Sequence, residues 1–321
     1  MALTEVAEAA EAQERGRGHL RRAMDRLVRK KIAVVCMVVL AIIYFAGIFA
    51  PFIAPYDYTE PHFTEIRKPP SLQFWAGTDF AGRDVFSRVL WGIQNTVIIT
   101  LVSMATGGLL IGITMGLMSG YFGAWIDGLI MRVGELFASF PDILLVIILA
   151  AALRPRFLEW ARWAEDNLGI EGVVRSGVVD YVAVSLALVA FGWVGMARLV
   201  RGQVLSLKQT PFVEAAQAAG AGTPRILFVH LLPNVISPVV VSVSAGMGAM
   251  IGAEIILSWL GLGIQPPRPS LGQMLLQAGS LSALREVPWM LIAPSTVAFS
   301  MLLTWSLLGD SLNDVLNPRT R

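Results

Sequence analysis

TPFVEAAQAAGAGTPRILFVHLLP, residues 210–233, is a polar, small-residue-rich interruption between two strongly apolar segments. Thr210 and Pro211 open a helix, because Thr is a capping residue and Pro is favoured at the first helical position. Glu214 falls in the first turn, where a negative charge complements the helix dipole. Ala215, Ala216, Ala218 and Ala219 favour helix and leave a nearly smooth surface. Gly220 ends the helix where a left-handed residue is wanted. Thr223 and Pro224 then start another helix almost at once. The stretch predicts a short helix, a tight turn and a second helix running into a membrane. A small smooth helix held out from a membrane domain suits a groove on another protein.

The membrane setting follows from composition. The 321 residues are 55% hydrophobic and 15% charged, with mean hydropathy +0.64. Soluble domains carry about 25% charged residues, so the chain reads as an all-α polytopic membrane protein. The one cysteine, Cys36, lies in an apolar run and excludes a disulfide framework. His19, His62 and His230 are far apart and match no metal-ligand spacing. The net charge is only +2, and the bases lack aromatic interleaving. Nucleic-acid binding is therefore unsupported.

Six spans are expected. Residues 1–31 form an N-terminal arm, first acidic and then basic; Leu20, Met24, Leu27 and Val28 recur at helical spacing and suit a helix along the membrane surface. Residues 32–50 carry no charge and are long enough for the first span. The basic residues Arg15, Arg17, Arg21, Arg22, Arg26, Arg29, Lys30 and Lys31 before it place the N-terminus in the cytoplasm. Residues 51–94 read as an extracytoplasmic loop, and residues 95–308 as a transmembrane core that includes the cytoplasmic helix 210–222. Within that core the spans are expected near 96–119, from Arg132 to Leu153, and over 181–197, 234–258 and 289–308. Residues 309–321 read as a cytoplasmic tail.

Gly108, Gly112, Gly116 and Gly120 recur at four-residue spacing, which lets a neighbouring helix approach to backbone contact. Pro141 is expected to kink the third span, with Asp142 well inside it. An intramembrane carboxylate is costly and lines a cavity or finds a partner. On that ground Asp142 is a candidate passage residue, biasing cargo towards positive groups, and Glu254, near the outer end of the fifth span, is a candidate gate or a hydrogen-bonding group at the subunit interface. Asp79, Arg83, Asp84 and Arg88 form either a self-satisfied turn or a docking surface for an outside partner.

Glu214-Ala215-Ala216, then Gly220, His230 and Leu232-Pro233, resembles the EAA motif of ABC-transporter permeases; the general pattern prefers Ile where His230 stands. GTDFAGRDVFSR (77–88), WVGMARLVRGQ (193–203), LGLGIQPP (260–267) and GDSLNDVLNP (309–318) resemble signatures of the peptide-permease branch. The pattern next expects Arg and Ser, where Gln94 and Asn95 stand instead. The resemblance runs from about residue 77 to the C-terminus.

It implies the C-type membrane subunit of a binding-protein-dependent oligopeptide or dipeptide importer, with the type I ABC importer permease fold, in the inner membrane of a prokaryote. The implied partners are a second homologous permease subunit, two ABC ATPase subunits, an extracytoplasmic solute-binding protein and the lipid bilayer. The helix containing Glu214, Ala215 and Gly220 becomes a coupling helix, with Ala216, Ala218 and Ala219 on its docking face. Nickel, glutathione and opine permeases share the branch, so cargo stays open at this point.

The chain contains no GxxxxGK[ST] loop, G-x-S-x-G elbow, H-E-x-x-H pair or Cys-His cluster. No catalytic residue or cofactor of its own is expected; ATP and Mg belong to the ATPase partners. A rival class, an ion-coupled secondary transporter, accounts for six spans and buried acids but not for the Glu-Ala-Ala helix.

Overall fold

The uncharged run 32–50 becomes one helix and a short continuation, as its length requires. The computed structural model describes residues 26–316. In chain order the helices are α1 (Lys31–Ile48), α2 (Ala50–Ile53), α3 (Val85–Phe122), α4 (Ala124–Ala138), α5 (Asp142–Leu168), α6 (Val178–Leu207), α7 (Pro211–Ala218), α8 (Thr223–Trp259), α9 (Leu271–Ala278), α10 (Leu281–Glu286) and α11 (Trp289–Leu316). Helix α3 contains a π-helical stretch at Met104–Gly112 and α8 another at Ile226–Leu231. The extended pairing among the described residues is a single bridge, Thr78 to Asp84.

By length and composition α1, α3, α6, α8 and α11 are each able to cross a membrane. Helices α4 and α5 form a pair bent by 90° and supply a sixth span if they count as one. Helix α1 shows how the chain partitions between interior and surroundings. Ala33, Cys36, Leu40 and Gly47 are buried on one side, while Ile32, Val35, Val38, Ile42 and Phe45 are exposed on the other. The buried side meets α11, where Tyr44 accepts a hydrogen bond from Trp305 Nε1 at 3.0 Å. Exposed apolar stripes of this kind suit lipid or another membrane subunit.

Several element bounds depart from the sequence reading. Helix α3 begins at Val85, inside the expected loop 51–94, because Asp84 caps it: Ser87 N donates to Asp84 Oδ2 at 2.8 Å and Ser87 Oγ donates to the same oxygen at 2.6 Å. Helix α5 continues to Leu168 and α6 begins at Val178, so the stretch between the expected third and fourth spans shrinks to the turn between these helices. Residues 259–288 hold α9 and α10, whose Leu271, Met274, Ala278 and Ala283 join the core formed by α3, α8 and α11. Helix α11 runs to Leu316, so residues 309–316 are helix rather than tail. The surface helix expected in the N-terminal arm and the last residues of the tail lie mostly outside the described residues.

In the motif at 77–88 the charges turn largely inward and pair within the turn. Asp79 accepts from Ala81 N at 2.8 Å, Arg83 N at 2.9 Å and Arg83 Nε at 2.8 Å. Asp79, Asp84 and Arg88 are buried. Trp289 Nε1 donates to the Thr78 carbonyl at 3.0 Å, which fixes the turn to the start of α11.

Candidate functional site

Helix α7 forms where the sequence places it, with Pro211 at its start and Glu214 in the first turn. Its cap differs from expectation. Thr210 is extended, but its hydroxyl makes no capping bond and instead donates to the Leu207 carbonyl at 2.5 Å. The hydroxyl thus fastens α7 back to the end of α6. Gly220 has φ +81°, the left-handed conformation expected of it, and Gly220 N and Ala221 N donate to the carbonyls of Gln217 and Ala216. These bonds close the helix end in the manner of a glycine stop.

Glu214, Ala215, Ala218, Ala219 and Gly220 are exposed, Ala216 is half-buried, and Val213 is fully buried. Val213 packs with Leu117 of α3, Val200 and Val204 of α6, and Ile226, Leu231 and Val235 of α8. The arrangement is a small smooth helix whose one buried side chain, Val213, joins an aliphatic cluster shared by α3, α6 and α8. Nothing lies within 4 Å of the place where a Gly220 side chain would begin. A displacement of α7 therefore acts first on α6, α3 and α8.

Three of the four expected seam glycines form a seam. A Cβ at Gly112, Gly116 or Gly120 would lie 2.7, 2.6 and 2.7 Å from the Cβ atoms of Met196, Val200 and Val204, which themselves recur every four residues on α6. Gly108 is not in the seam: its missing side chain would meet Met104 Sδ of its own helix at 2.6 Å. Gly107 takes its place, 3.0 Å from Val189 Cα by the same construction. The cause is the π-helical stretch, whose i→i+5 bonding widens the turn and replaces four-residue recurrence with a step of five from Gly107 to Gly112.

Two polar tiers bracket the helices. At one end of α6, Asp180 accepts from Arg154 Nε of α5 at 2.7 Å and from Gln265 N at 3.0 Å. Beside it Tyr181 donates to Asn95 Oδ1, and Asn95 Nδ2 donates to the Pro269 carbonyl at 2.6 Å. Arg268 Nη1 donates to the Tyr181 hydroxyl at 3.3 Å and its guanidinium lies over the ring at 5.8 Å. At the other end, next to α7, Arg201 binds Asp127. Along α6 the two tiers are about 31 Å apart at 1.5 Å per residue, the thickness of a bilayer core of about 30 Å. Sequence reasoning missed both tiers, since their partners lie far apart in the chain.

Asp142 does not sit inside a continuous span. It is exposed in the first turn of α5, directly after the 90° break at 139–141. Arg154 stands in the Asp180 tier, so Asp142 lies about 18 Å from that tier along α5, between the two tiers. Glu254 is fully buried and accepts from Thr96 Oγ1 and Ser258 Oγ, both at 2.7 Å. It joins α8 to α3 in the interior of the chain. Among the described residues no group of acidic, His or Cys side chains has metal-holding geometry.

Against that frame of seam, tiers and protruding helix, residues 108–321 match the family of binding-protein-dependent transport system inner membrane components. The chain belongs to that family. A further match over residues 19–70 is to the N-terminal transmembrane domain of oligopeptide transport permease C. This inner membrane component is 33% identical over 301 residues to the dipeptide transport system permease protein DppC of Alkalihalophilus pseudofirmus, covering 94% of this chain and 90% of the relative. It is 34% identical over 299 residues to the oligopeptide transport system permease protein OppC of Bacillus subtilis, covering 93% and 89%. It is also 35% identical over 298 residues to the glutathione transport system permease protein GsiD of Pectobacterium atrosepticum, covering 92% and 90%. Among solved structures, a chain of the MetNI methionine ABC transporter in inward-facing conformations aligns with a TM-score of 0.48 at 17% identity, covering 71% of this chain and 96% of that one.

Proposed function

We propose that this chain is the C-type permease subunit of an ATP-driven peptide importer, forming half of a solute passage with a second homologous permease subunit. Two separate ATPase subunits drive it from the cytoplasmic side, and an extracytoplasmic solute-binding protein delivers the cargo. Both termini and α7 lie on the inner side of a prokaryotic inner membrane. The single observation that carries this reading is α7 itself: an alanine-faced helix, stopped by a left-handed Gly220 and anchored through Val213 to three membrane helices. A lever of that shape needs something to push it, and the chain has no phosphate-binding loop with which to push itself.

In this reading ATP binding closes the ATPase pair and draws the two permeases' coupling helices together. The seam at Gly112, Gly116 and Gly120 carries the movement from α6 to α3 as one packed unit. The passage changes its open side, solute enters from the docked binding protein, and hydrolysis resets the state. Peptide cargo is supported by the relatives, whose transport systems are named for dipeptides, oligopeptides and glutathione.

Asp142 is the passage-facing carboxylate of this proposal. It is exposed between the polar tiers, where lipid is a poor neighbour for a carboxylate and a water-filled passage or a partner subunit is a good one.

Reconstitution into vesicles tests the function. Trialanine uptake that needs ATP, the ATPase subunits and the second permease is the expected result. Uptake by this chain alone, driven by an ion gradient, would instead favour a secondary transporter.

A further inference from the structure

The last turns of α6 and the residue that follows it carry two bases on one face, Arg201 and, two turns later, Lys208. Each holds a different neighbour. Arg201 donates from Nε to Asp127 Oδ1 at 2.5 Å and from Nη2 to Asp127 Oδ2 at 2.6 Å, fork against fork. Asp127 stands in the first turn of α4, where the positive end of the helix dipole also favours it. Ser119 Oγ, from the last turns of α3, donates to the same Asp127 Oδ1 at 2.5 Å. Lys208 Nζ donates to the Gly120 carbonyl at 2.9 Å. The end of α3, the start of α4 and the end of α6 are therefore tied at one level, and Pro211 of α7 follows Lys208 three residues later.

Helix α4 has a second hold on α6 further along. Gly134 faces Val194, and Phe137 meets Phe191 edge-to-face with ring centroids 5.2 Å apart. Its other side, with Trp125, Leu129, Val133 and Leu136, is exposed. Its end is the break at 139–141, beyond which α5 begins with Asp142. A push on α7 thus meets a fixed polar joint before it reaches α4, and α4 leads directly into the bend.

We propose that the Asp127–Arg201 pair is a positioning contact for energy coupling: it makes the front of α4 follow the end of α6, so that displacement of α7 reaches the bend and α5. The inference rests on the importer reading and adds the route from coupling helix to the candidate passage helix. Arg is required rather than Lys because only the planar fork fixes direction as well as distance. Ser119 holds the receiving carboxylate in register.

The deciding quantity is trialanine taken up per ATP hydrolysed by the complete reconstituted complex. A merely structural defect lowers uptake and hydrolysis together, in proportion to the complex assembled; a coupling defect lowers the ratio. Wild-type complex that shows no ATP-dependent uptake would sink the importer reading itself and is scored before any variant. In Asp127→Asn and Arg201→Gln the ratio is expected to fall at least tenfold while hydrolysis stays within about twofold of wild type. Arg201→Lys, which keeps the charge and folds if the two neutral variants do not, is expected to lower it about threefold. Exchange of the pair, Asp127→Arg with Arg201→Asp, is expected to recover part of the ratio. A wild-type ratio in Arg201→Lys, or in either neutral variant assembled at normal level, overturns the proposal.

Discussion

Gly116 and Val200 are in such close register that a Cβ on the glycine would lie 2.6 Å from the valine Cβ and 2.7 Å from the Ala197 carbonyl. The contact has backbone on both sides, so neither helix is free to yield by a side-chain rotation. It makes α3 and α6 a single packed body directly above α7.

Gly116→Ala is therefore expected to destabilise the purified complex by about 1–3 kcal/mol, the range for overpacking a filled interior. Gly108→Ala is the comparison, because its new methyl meets the Met104 side chain and no backbone, and a smaller loss than at Gly116 is expected. Thermal unfolding of the two variants in detergent reads the difference. Equal losses would mean that the π-helical stretch does not shift the seam from Gly108 to Gly107.

Gly220→Val adds no clash, since nothing lies nearby, but places a β-branched residue at φ +81°. A strain of about 1–2 kcal/mol is expected, confined to the end of α7. The variant should reach the membrane in normal amount and uncouple ATP hydrolysis from uptake. Gly220→Asn, which tolerates the left-handed region, should retain more coupling. Normal uptake in the valine variant would count against the role given to this turn.

Val213→Ala removes two buried methyl groups, worth about 1.5–2 kcal/mol of anchoring. Hydrogen exchange is expected to speed up across Pro211–Ala218 and to stay unchanged in the cores of α6 and α8. Exchange that remains slow in α7 would show that some other contact holds the helix.

Glu254 separates a buried joint from a gate. Glu254→Gln keeps an acceptor for Thr96 and Ser258 and should preserve uptake. Glu254→Leu leaves those hydroxyls without their partner and should cost about 1–3 kcal/mol in stability. A selective change in uptake by the Gln variant, with stability intact, would favour the gate.

Asp142→Asn is expected to lower uptake of lysine-containing peptides relative to neutral ones, measured side by side in vesicles. An unchanged ratio removes Asp142 from the passage.

What the sequence revealed and what it hid divide along a physical line. Local signals were readable: the apolar run behind α1, the Thr210-Pro211 start and the Gly220 stop of α7 depend on neighbours within a few residues. The start of α3 was also local, since Asp84 followed by Ser87 is a helix cap, but the charges around it masked the signal. The four-residue glycine repeat was visible, while the π-helical stretch that displaces Gly108 from the seam has no such signature. Asp127 with Arg201, Arg154 with Asp180, and Asn95 with Tyr181 meet only when the helices pack. No window of sequence contains both members of any of these pairs. The depth of Glu254 was legible, and its partner Thr96, on another helix, was not.

The central claim is that a separate ATPase drives this chain through α7 from the inner side of the membrane. Its most direct measurement places a photo-reactive crosslinker at the exposed Ala218 in the assembled complex within native membranes, with Ala218→Cys labelled in parallel by an impermeant thiol reagent. The expected result is a covalent product with a nucleotide-binding subunit, together with no labelling of the cysteine from outside intact cells. Labelling from outside, with no crosslink to any ATPase, would contradict it.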